Sequence, residues 1–192
     1  MNVRPASVPP PPIPSLGGGW TLRLAEPVAD LARIHGWLSA AGAVRDPERL
    51  QEELRAKLAG RATRPCVVSL DDVPLIHLEV HRVLHHALRA CYPVGAHDLA
   101  LDLVAGDRGA VGSDLVARLL PELTSALFAA DPHCRRITAA PDADDAVAVR
   151  DFRAGGFRHV TEVDLPHRTA ALLVAERPEI SRISTALDDM PH

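Results

Sequence analysis

The sequence predicts an α/β (α+β) domain in which a mixed central sheet carries helices on both faces. Runs of alternating apolar and polar residues, typical of strands, share the chain with runs of three-to-four spacing, typical of helices. Their order along the chain is β-α-α-β-β-β-α-β-α-β-β. The 192 residues, 47% of them hydrophobic, suit one domain with a sizeable core.

The first 19 residues are predicted to be a disordered leader. The proline run between Val8 and Pro14 and the three glycines at 17–19 favour an extended, solvated chain that buries no face. A docking role for the prolines is the alternative. The folded domain is expected over residues 20–177, followed by a flexible tail over 178–192.

In the N-terminal half, one strand is followed by two helices and a hairpin. The strand shows clear alternation, and both helices place apolar residues on one stripe. The second helix has Asp46 as a candidate N-cap before Pro47. The hairpin is expected to turn at Asp71 and Asp72. The predicted ranges are 20–24, 29–40, 47–59, 64–70 and 74–83.

In the C-terminal half, the first strand is apolar at nearly every position, as a central strand is. A glycine-bearing loop over 106–112 leads into a long helix that Pro121 is expected to kink. A further strand and helix follow, and two closing strands meet at Pro166. The predicted ranges are 97–105, 113–130, 135–140, 142–154 and a strand pair within 162–174.

Composition excludes several classes of function. The formal net charge is −4 and no dense run of basic residues occurs, which argues against nucleic acid as a partner. No apolar run reaches about 18 residues, and no signal-peptide core is present, so no membrane association and a cytoplasmic location are expected. Cys66, Cys91 and Cys134 lack C-x-x-C spacing and are predicted to be free thiols.

The C-terminal third carries recognisable motifs. They are Pro141-Asp142, the helix end from Phe152 to Phe157, and the segment EVDLPHRTAALLV from Glu162 to Val174. These motifs resemble the GNAT N-acyltransferases of siderophore biosynthesis, of the mycobactin lysine and of the aerobactin and desferrioxamine hydroxylamine type. The resemblance spans about 20–177 and implies a GNAT fold.

The resemblance also implies the substrates. The donor would be acetyl-CoA or another acyl-CoA, with an acyl carrier protein as the alternative donor. The acceptor would be a small molecule, through the side-chain nitrogen of lysine, hydroxylysine, hydroxyornithine or hydroxycadaverine. No metal is expected, and the oligomeric state stays open.

In such enzymes the loop before the long helix receives the phosphates of coenzyme A through backbone N–H groups and the helix dipole. The residues predicted to bind it here are Arg108, Gly109, Gly112 and Ser113. Aligned without gaps, the family's Arg-Gly-x-Gly falls on 113–116, where Ser, Asp, Leu and Val stand. A shift in register, a weakened coenzyme site and a plain connecting loop are the alternatives.

The resemblance places the acyl-transfer chemistry on the central strand. His97-Asp98-Leu99 matches the family's HDL, and Asp102 stands where relatives usually carry a histidine. Asp102 is therefore predicted to be the catalytic base, with a structural ion pair as the alternative. Ala139 and Ala140 occupy the place of a family acid.

Four residues are predicted to bind the acceptor. His77, Glu79 and His81 share one face of an alternating strand, and His97 joins them through the HDL motif. The histidines at 77, 81, 85 and 86 lack the ligand set of a structural zinc site, so no metal ligands are predicted.

The sequence thus predicts an acyl-CoA-dependent N-acyltransferase of siderophore biosynthesis and iron acquisition. Because a hydroxylamine nitrogen is mostly neutral at pH 7, the missing acid at Ala140 favours a hydroxylated acceptor over lysine. A catalytically degenerate GNAT-like scaffolding protein and a GNAT acetyltransferase for another small amine are the alternatives.

Overall fold

The computed structural model describes residues 8–106 and 114–178. Within them lie seven strands and four α-helices, with two short 3₁₀ helices at Val83–His85 and Ala87–Ala90. The strands are β1 Trp20–Leu24, β2 Thr63–Leu70, β3 Val73–Arg82, β4 Leu99–Ala105, β5 Arg136–Ala139, β6 Arg158–Leu165 and β7 Arg168–Glu176. The helices are α1 Leu31–Ala40, α2 Pro47–Ala59, α3 Leu115–Ala130 and α4 Ala146–Ala154.

The strands form one mixed sheet in the order β1-β2-β3-β4-β5-β7-β6. Every neighbouring pair is antiparallel except β4 and β5, which are parallel. A parallel pair needs a crossover, and α3 supplies it between these two strands. The predicted mixed sheet is therefore confirmed.

The sheet is covered on both faces, also as predicted. The larger core packs the apolar stripe of α3 and Phe152 of α4 against one face of β2–β5. On the opposite face, Ile34 of α1 and Leu54 of α2 pack against Val67 of β2. Strand side chains alternate between faces, so β3 sends Leu78 to the first core and its polar residues to the second face.

Turn and cap chemistry explains several boundaries. Asp46 accepts the Arg49 N–H at 3.0 Å and so caps α2 as predicted. Asp71 and Asp72 take positive φ angles of 49° and 64° in the β2–β3 turn. Helix α4 begins later than predicted because its N-cap is Asp145, which accepts the Ala148 N–H at 2.9 Å.

The two glycines after α4 have different tasks. A Cβ at Gly155 would lie 2.6 Å from Cβ of Leu120, so the missing side chain lets α4 lie close against α3. Gly156 takes a φ of +97°, which turns the chain out of the helix. Phe152 and Phe157 then meet edge to face, with ring centroids 5.1 Å apart.

The described part of the leader differs from the prediction of disorder. From residue 8 the chain runs along the domain, Pro11 is buried, and Ile13 and Leu16 pack against the larger core. The buried guanidinium of Arg82 donates from Nε to Pro9 O at 2.9 Å and from Nη2 to Pro10 O at 3.2 Å. Proline has no N–H to donate, but its carbonyl accepts hydrogen bonds, so a proline-rich segment can still be held against the domain.

None of the helices in the described ranges is both long and apolar enough to cross a bilayer.

Candidate active site

A gap opens in the middle of the sheet, between β4 and β5. The two strands pair over only three positions, from Leu99 with Ile137 to Leu101 with Ala139. Strand β5 then ends, while β4 continues to Ala105. The rest of β4 therefore has a strand neighbour on the β3 side alone.

The backbone of β4 faces this gap at defined positions. The Gly106 N–H donates to Leu75 O, and the Val83 N–H donates to Asp98 O. In an antiparallel pair these bonds alternate along the strand, so the even-numbered residues of β4 bond to β3. The N–H and C=O groups of Leu103 and Ala105 consequently point into the gap.

A cavity of about 900 Å³ runs through the gap. Its apolar side includes Leu101, Leu103 and Phe152, and its polar side includes Lys57, His77, Glu79 and Asp102. One cavity thus joins an apolar channel along β4 to a charged wall on the face covered by α1 and α2.

The charged wall has a fixed register. Glu79 of β3 lies directly opposite Asp102 of β4, and Asp102 projects to the same face as Glu79. His77 and His81 flank Glu79 on β3, on the same face. The structure therefore brings together four of the predicted site residues: His77, Glu79, His81 and Asp102.

Glu79 is held as an anion. Its carboxylate accepts two hydrogen bonds from Nζ of Lys57, at 2.6 and 2.8 Å, and lies 3.4 Å from Nε2 of His77. Burial raises the pKa of Glu79, but the contacts with His77 and Lys57 outweigh it and lower the pKa to about 2. At neutral pH Glu79 contributes charge and is a poor proton acceptor.

Asp102 is an exposed carboxylate with two imidazole neighbours. Its side chain is 46% exposed, and its Oδ2 lies 3.2 Å from Nε2 of His81 and 3.2 Å from Nε2 of His86. Loss of water on the side that faces the sheet raises the pKa of Asp102, but the contacts with His81 and His86 outweigh this and hold the pKa well below its ordinary range. The carboxylate is thus suited to attract and orient a nitrogen.

The two imidazoles differ in how they meet Asp102. His86 Nδ1 accepts the Leu88 N–H at 3.2 Å, so the proton of the neutral ring is on Nε2, which donates to Asp102. His81 Nδ1 meets Thr63 Oγ1 at 2.9 Å. Its Nε2 is buried and has no hydrogen-bond partner among the described residues. Oδ2 of Asp102 lies 3.2 Å away, but not in the direction that a hydrogen bond from this nitrogen requires.

Distance alone would allow His81, His86 and Asp102 to hold a divalent cation, because their ligand atoms lie within 4.8 Å of one another. The tautomer of His86 opposes this. Its Nε2 carries the proton, so metal binding there would require the ring to give up the Leu88 hydrogen bond. The cluster is better described as two imidazoles around a carboxylate.

His97 lies elsewhere. It precedes β4 and contacts Asp131 through Nδ1 at 2.9 Å, beside Arg82, and it does not line the cavity. The structure therefore does not bring His97 together with the other predicted acceptor residues. The HDL motif match placed it in the site, but four residues, 98–101, separate it from Asp102, and three of them are extended strand.

The remaining predictions concern Ala140 and the residues expected to bind the coenzyme. Ala140, in the place of the family acid, is a buried residue that lines the cavity beside Pro141. The predicted coenzyme residues lie outside the described residues: Arg108, Gly109, Gly112 and Ser113.

Two functional neighbours were not predicted. Lys57 comes from α2 to reach Glu79, and His86 comes from a 3₁₀ segment to reach Asp102. Lys57 is half-buried at the edge of the apolar stripe of α2, and a lysine in an amphipathic helix gives no sequence signal that it faces the sheet. His86 was visible only as one member of a histidine-rich run, and its direction depends on a turn without periodicity.

Comparison with known proteins gives a family. The model of an acetyltransferase (GNAT) domain matches residues 26–165. The chain is 30% identical to a lysine N-acyltransferase MbtK of Mycolicibacterium paratuberculosis, over 92% of this chain and 82% of that protein. It is 24% identical to an N(6)-hydroxylysine O-acetyltransferase of Escherichia coli, over 82% of this chain and 52% of that protein.

Solved structures agree on the fold. The aminoglycoside acetyltransferase AAC(6')-Ib, in complex with paromomycin and acetyl-CoA, superposes with a TM-score of 0.75 at 23% identity, covering 86% of this chain and 97% of that one. An uncharacterized protein of Bacillus halodurans gives a TM-score of 0.76 at 22% identity, covering 85% and 86%. The predicted GNAT fold, and the predicted resemblance to acyltransferases of lysine and hydroxylysine, are confirmed.

Proposed function

The chain belongs to the GNAT acetyltransferase family and is an N-acyltransferase, and from this premise we propose that it acylates the side-chain nitrogen of a lysine-class acceptor with an acyl-CoA. The acceptor class comprises lysine, hydroxylysine, hydroxyornithine and hydroxycadaverine, and the pathway is siderophore biosynthesis for iron acquisition in the cytoplasm. The observation that carries the proposal is the pair of opposed carboxylates, Glu79 and Asp102, beside an unpaired stretch of β4.

The donor fits the apolar half of the cavity. The pantetheine arm of an acyl-CoA carries amide groups, and the gap-facing backbone of Leu103 and Ala105 can pair with them as a neighbouring strand would. Leu101 and Phe152 would line the path of the acyl chain. When bound, the thioester supplies the activated acyl carbonyl. A backbone N–H from β4 is the available donor to polarise that carbonyl.

The acceptor fits the charged half. An amine that enters the cavity meets two anionic carboxylates, and their attraction would orient its nitrogen toward β4. With a neutral hydroxylamine, the carboxylates would act by accepting hydrogen bonds from its N–H or N–OH group. Because Asp102 and Glu79 both have lowered pKa values, neither is a strong base. Orientation of the nitrogen against the thioester is then the main contribution of this wall.

This weak basicity favours hydroxylated acceptors. An alkylammonium must lose a proton before it can attack, whereas a hydroxylamine nitrogen is mostly neutral at pH 7. With Ala140 in the place of the family acid, the described cavity offers no further carboxylate at that position. We therefore expect N-hydroxylated acceptors to turn over faster than lysine.

Steady-state release of free coenzyme A tests the proposal. Acetyl-CoA and longer acyl-CoA thioesters are each combined with lysine, N6-hydroxylysine, N5-hydroxyornithine and N-hydroxycadaverine, and the products are identified by mass spectrometry. The expected result is acceptor-dependent release with an N-acylated product, fastest on a hydroxylated acceptor. Faster turnover on lysine would overturn the stated preference.

The same experiment separates the alternatives. Two results would favour a scaffolding protein. One is calorimetric binding of acyl-CoA with no release of free coenzyme A in the presence of any of these amines, and the other is no binding at millimolar acyl-CoA. Turnover on aminoglycosides or polyamines alone would favour a GNAT acetyltransferase for another small amine.

A further inference from the structure

His86 occupies a defined place relative to the cavity. It follows β3, between the two 3₁₀ helices, and its side chain is 13% exposed. One ring nitrogen accepts the Leu88 N–H, which caps the second 3₁₀ helix, and the other donates to Oδ2 of Asp102 at 3.2 Å. Backbone and carboxylate together fix the rotation and the tautomer of this ring.

Asp102 uses only one of its oxygens in these contacts. Within the described residues both imidazole contacts go to Oδ2, from His81 on β3 and from His86. The side chain is nearly half exposed and lines the cavity. Oδ1 is therefore the oxygen that a cavity ligand can reach.

We propose that His86 is a positioning residue, which holds Oδ2 of Asp102 so that Oδ1 meets the acceptor nitrogen. The inference rests on the proposed function of the cavity. A carboxylate held at one oxygen has lost the rotation about its terminal torsion, so less orientational freedom is lost when the acceptor binds.

His81 has a different relation to the same oxygen. Its Nε2 lies 3.2 Å from Oδ2 and 3.6 Å from Oε2 of Glu79, without a hydrogen bond to either. It therefore packs against Asp102 without holding it, while His86 supplies the directed bond. Both imidazoles lie 3.2 Å from Oδ2 of Asp102, but only His86 donates a hydrogen bond to it. We therefore expect substitution of His86 to disturb the orientation of Asp102 more than substitution of His81 does.

Kinetics of three variants test the proposal. His86→Leu removes the N–H donor, His86→Gln keeps an amide N–H near the position of Nε2, and His85→Leu alters the exposed neighbour as a matched control. For His86→Leu we expect the acceptor KM to rise about tenfold to hundredfold, the worth of a hydrogen bond to a charged group. The KM for acyl-CoA should not change, His86→Gln should recover most of the loss, and His85→Leu should match the wild type.

Because His86 also caps a 3₁₀ helix, a double-mutant cycle with Asp102→Asn separates positioning from folding. If His86 acts through Asp102, His86→Leu adds little to the acceptor KM of Asp102→Asn. Fully additive losses in KM, or an equal rise in the KM of acyl-CoA, would overturn the proposal.

An NMR titration of the Asp102 carboxyl carbon tests the same contact without turnover. The charged and titratable groups that face this carboxylate are Glu79 and His81 on β3 and His86, with Lys57 and His77 behind Glu79. His86→Leu should raise the pKa of Asp102, and His85→Leu should leave it unchanged. An unchanged pKa in His86→Leu, or tight Zn²⁺ binding by the wild type that His86→Leu abolishes, would overturn the positioning role.

The kinetics and the titration together distinguish failure of the proposed function from failure of the positioning role alone. Loss of the proposed function would appear as absent acyl transfer in the wild-type protein. Loss of the positioning role alone would appear as normal wild-type turnover with a His86→Leu variant that retains both its acceptor KM and its Asp102 pKa.

Discussion

Two histidine–aspartate contacts lie along β4, one just before its N-terminal end and one at its middle, and they differ in how completely their hydrogen bonds are filled. At the N-terminal end, Asp131 accepts from His97, from Arg82 and from the His133 N–H, and it is almost fully buried. At the middle of the strand, Asp102 contacts His81 and His86 through one oxygen and is nearly half exposed. The same pair of residue types forms a closed structural cluster in one place and an open one in the other.

The two clusters differ in how much of their hydrogen-bonding capacity is already used. Arg82 donates to the carbonyls of Pro9, Pro10 and His97 and pairs with Asp131, so most of the hydrogen-bonding capacity of its buried guanidinium is used within the described residues. Among the described residues, the cluster around Asp102 contains a buried His81 nitrogen without a hydrogen-bond partner, and it borders a cavity. Unfilled hydrogen-bonding capacity next to a cavity, and not the presence of histidine, is what distinguishes this cluster as the candidate site.

The largest effect is expected at the closed end. Arg82→Met should lower the free energy of unfolding by about 3–5 kcal/mol, because it leaves the buried Asp131 carboxylate without its main counter-charge. Urea unfolding measures this loss, with the exposed Arg55→Met as a control expected within about 0.5 kcal/mol. Turnover per folded molecule should be unchanged, and a selective loss of turnover would place Arg82 in the active site.

The next largest effect is expected for Glu79→Gln, whose loss of unfolding free energy should depend on pH. A carboxylate with a lowered pKa stabilises the fold above its unfolded pKa, and this contribution is lost as pH falls through the folded pKa. Since the pKa of Glu79 is lowered to about 2, the variant should lose about 3 kcal/mol at pH 7. That deficit should vanish between about pH 4.3, the ordinary pKa of the group, and about pH 2. Denaturant midpoints at several pH values measure it, and a deficit independent of pH would contradict the ion pair with Lys57.

Removal of residues 1–16 tests how much the N-terminal segment stabilises the buried cluster of Arg82, His97 and Asp131. The truncated chain loses two carbonyl acceptors of Arg82 and the packing of Ile13 and Leu16, so we expect a loss of about 2 kcal/mol in unfolding free energy. Thermal unfolding measures the change. The contacts of Pro9 and Pro10 use backbone carbonyls, so alanine at both positions should have little effect. A truncation without effect would show that the segment adds no stability.

The smallest effect on stability is expected for His97→Gln. His97 pairs with Asp131 at the far end of β4, so its loss should cost about 1 kcal/mol of stability. Acceptor and donor KM values should stay within about twofold of the wild type, because the residue does not line the cavity. A large rise in the acceptor KM would restore His97 to the acceptor site that the HDL motif suggested.

Much of the fold could be predicted from the sequence because its signals are local. Alternation marked β3, three-to-four spacing marked α2, and Asp46 before Pro47 marked where that helix begins. The shared face of His77, Glu79 and His81 followed from the same alternation. These features need no knowledge of which strands are neighbours.

The rest of the site depends on contacts between distant parts of the chain. The register that sets Glu79 opposite Asp102 and the turn that brings His86 back toward β4 leave no periodic trace. The contrast between His97 and His86 has the same origin. A motif match assigned His97 to the site, and only tertiary contacts show that His97 pairs with the buried Asp131 while His86 contacts Asp102, which lines the cavity.

The most direct measurement of the central claim is the specificity constant, kcat/KM, for acceptor-dependent coenzyme A release by the wild type and by Asp102→Asn. Because the side chain of Asp102 is nearly half exposed, solvent screens its contacts with the two imidazoles, so the amide should cost only a small part of the folding stability, and the constant is compared per folded molecule. Its charge should still be needed to bind and orient the acceptor nitrogen. A decrease of about a hundredfold or more with an unaltered fold is the predicted result. A specificity constant within about twofold of the wild type would contradict the assignment of this cavity as the acyl-transfer site.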